Sequence, residues 1–503
     1  MFTTSVIMKA ALRLVVAGAI LTYCACILIP DCATAQSPRK MPNVLWIMLD
    51  DCRADAIGCY GKPWARTPNM DAIAAAGVRF ETAIVQSPVC VPSRRSMKTG
   101  LYAHQTGVMA MGKPADQPGE YQQKSLPLAQ QTNLLHAWTR QGVPLANIAK
   151  ADAFAEDFQQ MKHFQPLLGH AGQPTELFKP EWQGQILSQV HTKTHHWLIG
   201  GVVDVPISAY RPTRIGSAAV RTLQCLLADE DPFFLRVSFH APHVACFVPP
   251  SHLIDPRTID LPLPTAADTA AKPNFEQHNL RVYSSAPDLT REEIGIARGT
   301  YYGIVSLVDD QVGRILRVLE ESGRYDDTIV VINADQGFLL GEHGNWKKRD
   351  FYDANVCTPL IICAPGHRTS QVITEPVEMI DFIPTLIDLC GLEPPTGIRG
   401  RSLVPLISGD VSTARGACFS EHDYSQDVYT ELRDGGSRRV MVRTKEWKLV
   451  FFMDERARDE DGALYHLTSD AEEQHNLFAD SDHQQIVERL TQLARDWDQG
   501  LLH

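Results

Sequence analysis

Two strand-length apolar segments that lead directly into aspartates constrain the fold more than any other feature of this chain. Residues 43–49 read NVLWIML and are followed by Asp50 and Asp51, and residues 328–333 read TIVVIN, with Asp335 two positions later. Continuous apolar runs of this length are typical of strands that are buried on both faces of a sheet. Because ligands of such sheets collect at the carboxyl ends of strands, we expect these aspartates to meet at one site.

Helical patterns separate the strand segments. Thr67, Pro68 and Asn69 form a typical helix start, and this helix is predicted to end at Gly77. Residues 290–322 begin with a capping box and carry apolar residues at helical spacing, which predicts one long helix. Strands that alternate with helices predict an α/β fold, in which helices sandwich a large mixed, mostly parallel sheet.

The chain of 503 residues is long for one hydrophobic core, so two folded parts are expected. A composition break at residues 393–410 is followed by apparent paired strands at 440–452 and by four apolar residues on one face of a closing helix: Ile486, Leu490, Leu493 and Trp497. We predict a catalytic domain over 36–410 and a smaller C-terminal α+β subdomain over 411–503, with a small antiparallel sheet. Residues 165–206 show little periodicity, which predicts a loop-rich insertion.

The N-terminus has the pattern of an export signal. Lys9 and Arg13 precede an apolar run over residues 14–29, and Ala33-Thr34-Ala35 fits a cleavage site. We therefore expect residues 1–35 to be a signal peptide for export to the periplasm or the extracellular space. An uncleaved anchor is the alternative, although the run is slightly short for a membrane span. No second long apolar run follows, so no stable membrane insertion of the mature chain is expected.

The charge and the cysteines exclude some classes of function. A formal net charge of -12 argues against a nucleic acid as partner, and an anionic substrate would need a local cluster of cations. Of the 12 cysteines, 3 lie in the predicted signal peptide, and the 8 others besides Cys90 show no C-x-x-C spacing for a metal. Several of these lie in apolar segments and are expected to be core residues, and their disulfide pairing is open.

The cysteine at position 90 lies in an unusual short sequence. Residues 88–94 read PVCVPSR, and Thr99-Gly100 follow. An ordinary catalytic cysteine would need a neighbouring base to form a thiolate, whereas proline, serine and arginine stand here at fixed offsets. The sequence fits the pattern C-x-P-S-R-(x)4-T-G, so Cys90 is the leading candidate for the reacting residue.

This pattern, together with longer blocks of sequence, resembles the sulfatases of the alkaline phosphatase superfamily. The blocks begin at residue 42 (PNVLWIMLDD), residue 334 (ADQGFLLGEHGNWKKRDFYD) and residue 464 (LYHL), and the resemblance covers nearly all of the mature chain. It implies that a formylglycine-generating enzyme oxidises Cys90 to formylglycine after synthesis. One oxygen of the hydrated aldehyde would then be the nucleophile.

The same resemblance implies one Ca²⁺ ion, held by Asp50, Asp51, Asp335, Gln336 and one oxygen of the modified Cys90. The residue types agree, because adjacent carboxylates at a strand end cannot both stay ionised and desolvated without a cation, and Ca²⁺ prefers oxygen ligands. Asp309 and Asp310 form another acidic pair, but they fall between core positions of the predicted long helix. No metal role is expected for that pair.

The resemblance also assigns four residues to the bound sulfate and the hydrate: Arg94, Lys150, His243 and Lys348. Arg94 would brace the hydrate and the metal-site carboxylates, and His243 would contact both the sulfate and the leaving oxygen. Lys347 is a rival of Lys348 for the sulfate-binding role, and His240 is expected to be a structural neighbour.

The sequence departs from the family on both sides of Lys150. The family usually has a glycine before this lysine and a histidine two residues after it, whereas Ala149 and Asp152 stand here. Since that histidine helps to expel sulfate, Asp152 is the candidate base in its place. Slowed turnover and a histidine from elsewhere are the alternatives, although the insertion's own histidines are expected to be solvated: His191, His195 and His196.

These expectations combine into one function, that of an exported sulfuric ester hydrolase which releases inorganic sulfate from a sulfated carbohydrate or a related ester. A phosphonate monoester or phosphodiester hydrolase with the same nucleophile is one alternative. A glycan-binding pseudoenzyme is another, although every metal ligand is retained. A fragment of a sulfated polysaccharide is the expected substrate, and a uronate 2-sulfate is a narrower guess. The natural substrate, the exo or endo action and the oligomeric state stay open.

Overall fold

The computed structural model describes residues 40–111, 133–150, 184–192, 197–263, 272–283, 289–426, 438–453 and 461–502. Pro42–His503 form one compact unit, and only the last two residues of the preceding unit, Met1–Met41, are described. The predicted signal peptide therefore lies outside the described residues. Among the helices that are described, none is both long enough and apolar enough to cross a membrane.

The strands of the described part are β1 (Asn43–Asp50), β2 (Val78–Ile84), β3 (Leu145–Ala149), β4 (Ile186–His191), β5 (Leu198–Val203), β6 (Phe234–Pro242), β7 (Cys246–Val248), β8 (Thr328–Ala334), β9 (Cys357–Cys363), β10 (Gln371–Ile373), β11 (Val377–Glu378), β12 (Cys418–Asp423), β13 (Arg438–Arg443), β14 (Trp447–Phe452) and β15 (Ala463–His466). The α-helices are α1 (Pro68–Ala76), α2 (Cys90–Thr99), α3 (Ala103–Thr106), α4 (His136–Thr139), α5 (Arg211–Leu226), α6 (Asn274–Tyr283), α7 (Arg291–Glu321), α8 (Asp353–Val356), α9 (Phe382–Leu389), α10 (Val404–Ile407) and α11 (Gln484–Asp498).

The main sheet has 8 strands, in the order β10-β2-β9-β8-β1-β6-β3, with β11 also paired to β2. Strands β8, β1, β6 and β3 are parallel neighbours, whereas β9 is antiparallel to both β8 and β2. The sheet is thus mixed, with a parallel half. This confirms the predicted α/β fold with a large mixed sheet.

The central strand β1 shows why helices cover both faces of this sheet. All of its residues are buried, as its continuous apolar sequence predicts. Leu45 and Ile47 belong to the same core cluster as Val305 of α7. On the opposite face, Trp46 packs on Phe382 of α9, with ring centroids 5.0 Å apart.

Helix α7 begins and ends where the sequence predicts. The backbone N–H of Thr290 donates to the Glu293 carboxylate over 2.7 Å, and the Thr290 hydroxyl accepts from the Glu293 backbone N–H over 3.2 Å, which completes the capping box. Inside this helix, Asp309 is buried and accepts hydrogen bonds from the backbone N–H groups of Asn69 (3.1 Å) and Met70 (2.8 Å). Burial raises the pKa of Asp309 to about 6. Its role is therefore structural, as a cap for the first turn of α1.

The C-terminal part contains the predicted antiparallel sheet, in the order β12-β13-β14-β15, and the closing helix α11 packs on β13. Leu490 and Trp497 of α11 are buried as predicted, but Ile486 and Leu493 are only partly buried. Both of these side chains still pack against the same core cluster, and Val487 and Ala494 are buried beside them. The core-facing side of α11 is therefore wider than the four predicted positions.

The described part of the insertion contradicts the prediction of a loop-rich segment over 165–206. Strands β4, β5 and β7 form a sheet of their own. The two glycines of β5 gave it the composition of a loop, but close strand packing requires them. A Cβ atom at Gly200 would lie 2.4 Å from the backbone oxygen of Cys246, and one at Gly201 would lie 2.1 Å from that of Ser188.

The nine cysteines in the described residues are all free thiols. Six of those outside the Cys90 motif are buried, which confirms that most of them are core residues: Cys52, Cys246, Cys357, Cys363, Cys390 and Cys418. Burial raises the pKa of each of these six thiols, so that they remain protonated at neutral pH.

Candidate active site

The carboxyl ends of four neighbouring parallel strands build this site. Asp50 ends β1, Asp335 follows β8, His243 follows β6 shortly after its end, and Lys150 follows β3. Because the order of these strands is β8-β1-β6-β3, their ends lie side by side along one edge of the sheet. The aspartates of the two apolar strand segments therefore meet, as the sequence predicts.

Three buried carboxylates form the centre of the site. Ligand atoms of Asp50, Asp51 and Asp335 all lie within 4.8 Å of one another. Asp50 Oδ1, Asp51 Oδ2 and Gln336 Oε1 are buried and have no hydrogen-bond partner among the described residues. A buried oxygen without a donor is costly, and carboxylate and amide oxygens are the ligands of hard divalent cations. These residues therefore fit a hard cation such as Ca²⁺.

The backbone at Asp51 turns its carboxylate toward Asp335. Asp51 has a φ angle of 61°, in the left-handed region, which costs about 1–2 kcal/mol for a residue with a Cβ. Two contacts hold it there. Its backbone N–H donates to Asp335 Oδ1 over 3.1 Å, and its carbonyl oxygen accepts from the Tyr301 hydroxyl over 2.7 Å. The Gln336 side-chain amide also donates to Asp51 Oδ1.

Helix α2 begins at Cys90, and its first turn explains the spacing of the sequence motif. The Ser93 hydroxyl donates to the Asp335 carbonyl over 2.5 Å, and Arg94 Nε donates to Asp335 Oδ2 over 2.6 Å. These side chains, three and four positions after Cys90, fix the helix N-terminus beside the acidic cluster. The thiol is buried, 5% exposed, at the end of the helix dipole that favours negative charge.

Two lysines and one histidine contact the acidic cluster. Lys150 Nζ donates to Asp50 Oδ2, Lys348 Nζ donates to Asp51 Oδ1 over 2.7 Å, and His243 Nε2 lies 3.8 Å from Asp51 Oδ2. Burial alone would lower the pKa of Lys348, but Asp51 and the other negative groups outweigh it, so this pKa lies well above its ordinary value. For Asp50, burial raises the pKa, and the neighbouring cations, Lys150 first, outweigh that effect and lower it.

The structure distinguishes the rival residues by position. Lys347 lies over the ring of Trp197. Burial, with Arg349 and Lys348 nearby, lowers the pKa of Lys347 to about 5. His240 stacks obliquely on His243, with ring centroids 4.7 Å apart, and burial lowers its pKa well below the ordinary value.

The departures around Lys150 are visible only in part. Ala149 has a φ angle of 71°, a conformation that favours glycine, which accounts for the glycine that the family usually has here. Asp152, His195 and His196 lie outside the described residues. His191 is exposed on β4, where its ring contacts Gln189.

Sequence reasoning did not identify two residues that support the site. Ser238 of β6 accepts a hydrogen bond from Arg94 over 3.2 Å. Tyr301 of α7 holds the Asp51 carbonyl, and its hydroxyl also accepts from the Arg53 backbone N–H over 3.2 Å. A single hydroxyl within the apolar sequence of β6 was the signal for Ser238. Tyr301 carried none, because tyrosine is common in amphipathic helices.

Comparisons with known proteins agree with this geometry. The family model named Sulfatase matches residues 42–392, and the model for the C-terminal part of N-sulphoglucosamine sulphohydrolase matches residues 341–499. An arylsulfatase of Clostridium perfringens is 25% identical over 90% of this chain and 93% of its own. An N-acetylglucosamine-6-O-sulfatase of Bacteroides thetaiotaomicron is 26% identical over 93% of this chain and 88% of its own.

Among solved structures, a phosphonate monoester hydrolase of Agrobacterium radiobacter has a TM-score of 0.74 and 25% identity, over 90% of this chain and 96% of the other. The family model spans most of the main sheet and the edge at which the acids, Cys90 and the cations meet. The chain therefore belongs to the sulfatase family of the alkaline phosphatase superfamily and is a sulfuric ester hydrolase.

Proposed function

We propose that this enzyme is exported and releases inorganic sulfate from a sulfated carbohydrate, with Cys90 converted to formylglycine and with one Ca²⁺ ion per chain. One observation carries the proposal. A buried trio of carboxylates lies at the same sheet edge as Cys90, the ammonium groups of Lys150 and Lys348, and the imidazole of His243. A sulfate ester needs a nucleophile, a Lewis acid and cations around its oxygens, and this edge offers residues for each.

Cys90 is the proposed position of the nucleophile. The hydrated aldehyde of formylglycine supplies an oxygen nucleophile and a second hydroxyl, which a thiol lacks. The N-terminus of α2 favours negative charge at residue 90, and Arg94 fixes this turn through Asp335. A formylglycine-generating enzyme is therefore the maturation partner that the proposal requires.

The cations are proposed to bind the sulfuryl oxygens and to handle the leaving group. Lys150 and Lys348 end in ammonium groups at the acidic cluster, within reach of a sulfate bound beside residue 90. His243 Nδ1 lies 2.8 Å from the Val244 carbonyl, which orients Nε2 toward the site. A protonated His243 can thus donate from Nε2 to the leaving alcohol oxygen.

Asp50, Asp51, Asp335 and Gln336 are the proposed metal ligands, with residue 90 as the fifth. A bound Ca²⁺ supplies Lewis-acid polarisation of an oxygen at residue 90 and of the sulfate. The three side-chain oxygens without partners among the described residues support this assignment. Ca²⁺ rather than a transition metal follows from a donor set without thiolate or imidazole.

Two further functions compete with this one. The similarity to a phosphonate monoester hydrolase, at a TM-score of 0.74, supports the alternative that the preferred ester is a phosphonate or phosphodiester. A glycan-binding pseudoenzyme is disfavoured, because the metal ligands and the cations are all retained around Cys90. The relatives named as an arylsulfatase and an N-acetylglucosamine-6-O-sulfatase support the sulfate ester and, for the latter, a sugar as its carrier.

One experiment tests the proposal. Protein made with a formylglycine-generating enzyme is compared on p-nitrophenyl sulfate, a sulfated sugar panel, a phosphonate monoester and a phosphodiester, before and after exhaustive chelation. We expect sulfate release to dominate, to require Ca²⁺ and to vanish in Cys90→Ala, with formylglycine found at residue 90 by mass spectrometry. Full activity with an unmodified thiol, or a preference for the phosphonate, would overturn the proposal.

A further inference from the structure

A small cavity lies against the proposed sulfate site on the side of His243. Its volume is 50 Å³, and His240, His243 and Arg211 line it together with apolar walls such as Tyr210, Ile215 and Phe247. None of the three carboxylates, Cys90, Lys150 or Lys348 lines it. His243 is therefore the wall that the cavity shares with the reaction site.

Arg211 is the charged group among the described residues that line this cavity, and those residues include no carboxylate. The two histidines add ring nitrogens that can hydrogen-bond to a ligand. Arg211 is also the first residue of α5, a helix of 16 residues whose first turn carries no acid. The partial positive charge of this helix end favours an anion at the place where the Arg211 guanidinium also favours one.

Arg211 lies close enough to His240 to affect the pKa of its ring. Burial and then the nearby Arg214 lower the pKa of Arg211 itself. Burial also lowers the pKa of His240, and His243, Lys150, Arg211 and Lys348 add to that effect in this order. Arg211, Lys150 and Lys348 therefore all lie near His240, and of these three residues only Arg211 is among the described residues that line the cavity.

We propose that Arg211, with His240 and the apolar walls of this cavity, forms a subsite for a second anionic group that the substrate carries beside its sulfate ester. The inference rests on the proposed function. It narrows the substrate class to sugars that carry a carboxylate or a second sulfate on the ring from which the sulfate is released. The cavity volume of 50 Å³ exceeds the roughly 10–15 Å³ that one water molecule needs, so the cavity has room for a small polar group of the substrate. Arg211 is then a specificity residue that contacts substrate without contacting the reacting atoms.

The test compares substrates that differ only in the second anion: a uronic acid 2-sulfate, a disulfated hexose, and a monosulfated hexose without a carboxylate. Arg211→Gln is the variant, Arg211→Lys keeps the charge, and Arg214→Gln is the matched control on the same helix turn. For one of the first two substrates, we expect Arg211→Gln to lower kcat/KM, relative to kcat/KM for the monosulfated hexose, by about 10- to 100-fold, mainly through KM. Arg211→Lys should recover part of the ratio, and Arg214→Gln should leave it unchanged.

The carboxylate and sulfate arms identify which anion the subsite takes. An equal loss on all three substrates, no loss on any, or an equal effect of Arg214→Gln would overturn the inference while leaving the proposed function intact. Calorimetric binding of the same sugars to Cys90→Ala protein, with and without Arg211→Gln, decides the inference even if no sulfate ester is turned over. If no sulfate ester is turned over, the proposed function fails. The inference about the subsite then stands only if Arg211→Gln selectively weakens the binding of a sugar with two anionic groups.

Discussion

At the scale of single residues, Lys347 and Lys348 show how position rather than residue type decides a role. The two are neighbours in sequence, yet Lys348 contacts Asp51, and Lys347 lies over Trp197. The negative groups around Lys348 keep its pKa high despite burial, whereas burial lowers the pKa of Lys347 to about 5. At neutral pH the former is an ammonium and the latter an uncharged amine.

This contrast predicts a large difference between two otherwise identical substitutions. Lys348→Met should lower kcat on p-nitrophenyl sulfate by about 100- to 1,000-fold, the usual loss when one donor to the developing charge is removed. Lys347→Met serves as the matched control and should change kcat by less than about 5-fold, because an uncharged amine gives little electrostatic stabilisation. Steady-state kinetics on both proteins measures the difference, and an equal loss in Lys347→Met would reverse the assignment.

Asp152 should matter for the second half of the reaction more than for the first. It stands in place of the family's histidine, two residues after Lys150. The positive charges of Lys150 and of a bound metal would favour the ionised form of Asp152, which is a weak base. Asp152→Asn keeps the shape and removes the basicity. Rapid-quench experiments should then show a burst of alcohol followed by slow sulfate release. Wild-type kinetics in this variant would mean that another residue is the base, and recovery in Asp152→His would support the positional equivalence.

At the scale of elements, helix α7 supports the turn that carries the proposed metal ligand Asp51, and it does so through one hydroxyl. Tyr301 OH donates to the carbonyl of Asp51 over 2.7 Å and accepts from the backbone N–H of Arg53 over 3.2 Å. The turn between them contains the left-handed residue Asp51, so the long helix serves as its rigid support. Groups that orient a metal ligand in this way are known to affect both affinity and stability.

Tyr301→Phe should therefore weaken metal binding without touching a ligand. The loss leaves a buried carbonyl and a buried N–H unpaired, which costs about 1–3 kcal/mol of unfolding free energy. Ca²⁺ affinity should fall by about 10-fold or more. Tyr302→Phe is the matched control, since Tyr302 is equally buried beside it and makes neither backbone contact. Calorimetric Ca²⁺ titration and urea unfolding of both variants measure the effects, and equal affinities would refute this supporting role.

The elements also show what could be predicted from the sequence and what could not. Strands β1 and β8 and helix α7 were predictable, because their apolar patterns and the capping box are local signals. Strand β5 was not predictable, since Gly200 and Gly201 are required by close packing against the backbones of Cys246 and Ser188 in other strands. The strand-end aspartates and the Cys90 motif predicted the acidic cluster, whereas the support by Tyr301 and the Arg211 cavity depend on tertiary packing alone.

At the scale of the whole molecule, the C-terminal sheet holds the segments on both sides of Cys90. The backbone N–H of Glu421 on β12 donates to the Gln86 carbonyl over 3.0 Å, and the N–H of Asp423 donates to the Met109 carbonyl over 3.1 Å. The Glu421 carboxylate accepts from the backbone N–H of His104 over 2.7 Å. The proposed C-terminal subdomain is thus part of the support of the helix that begins at Cys90.

Glu421 is the buried charge on which this support depends. It pairs with Arg438 over 2.6 Å and with the ring of His104 over 2.8 Å. Burial alone would raise its pKa, but Arg438 and His104 outweigh burial and lower the pKa to about 2. Because the folded-state pKa lies below the unfolded value, the ionised form stabilises the fold above about pH 4.5, and this contribution is lost as the pH falls toward 2.

Glu421→Gln should therefore destabilise the protein in a pH-dependent way. At pH 7 we expect a loss of about 1–3 kcal/mol, since the substitution removes the carboxylate from His104 and leaves Arg438 with Asp498 (2.6 Å) as its remaining acidic partner. The difference from wild type should shrink between about pH 4.5 and pH 2, as the wild-type carboxyl becomes protonated. Glu375→Gln is the control, because its ion pair with Lys445 (3.3 Å) is largely exposed and should contribute less than about 1 kcal/mol. Urea unfolding at several pH values measures both proteins, and a difference that stays constant with pH would show that Glu421 does not carry the acid sensitivity of this interface.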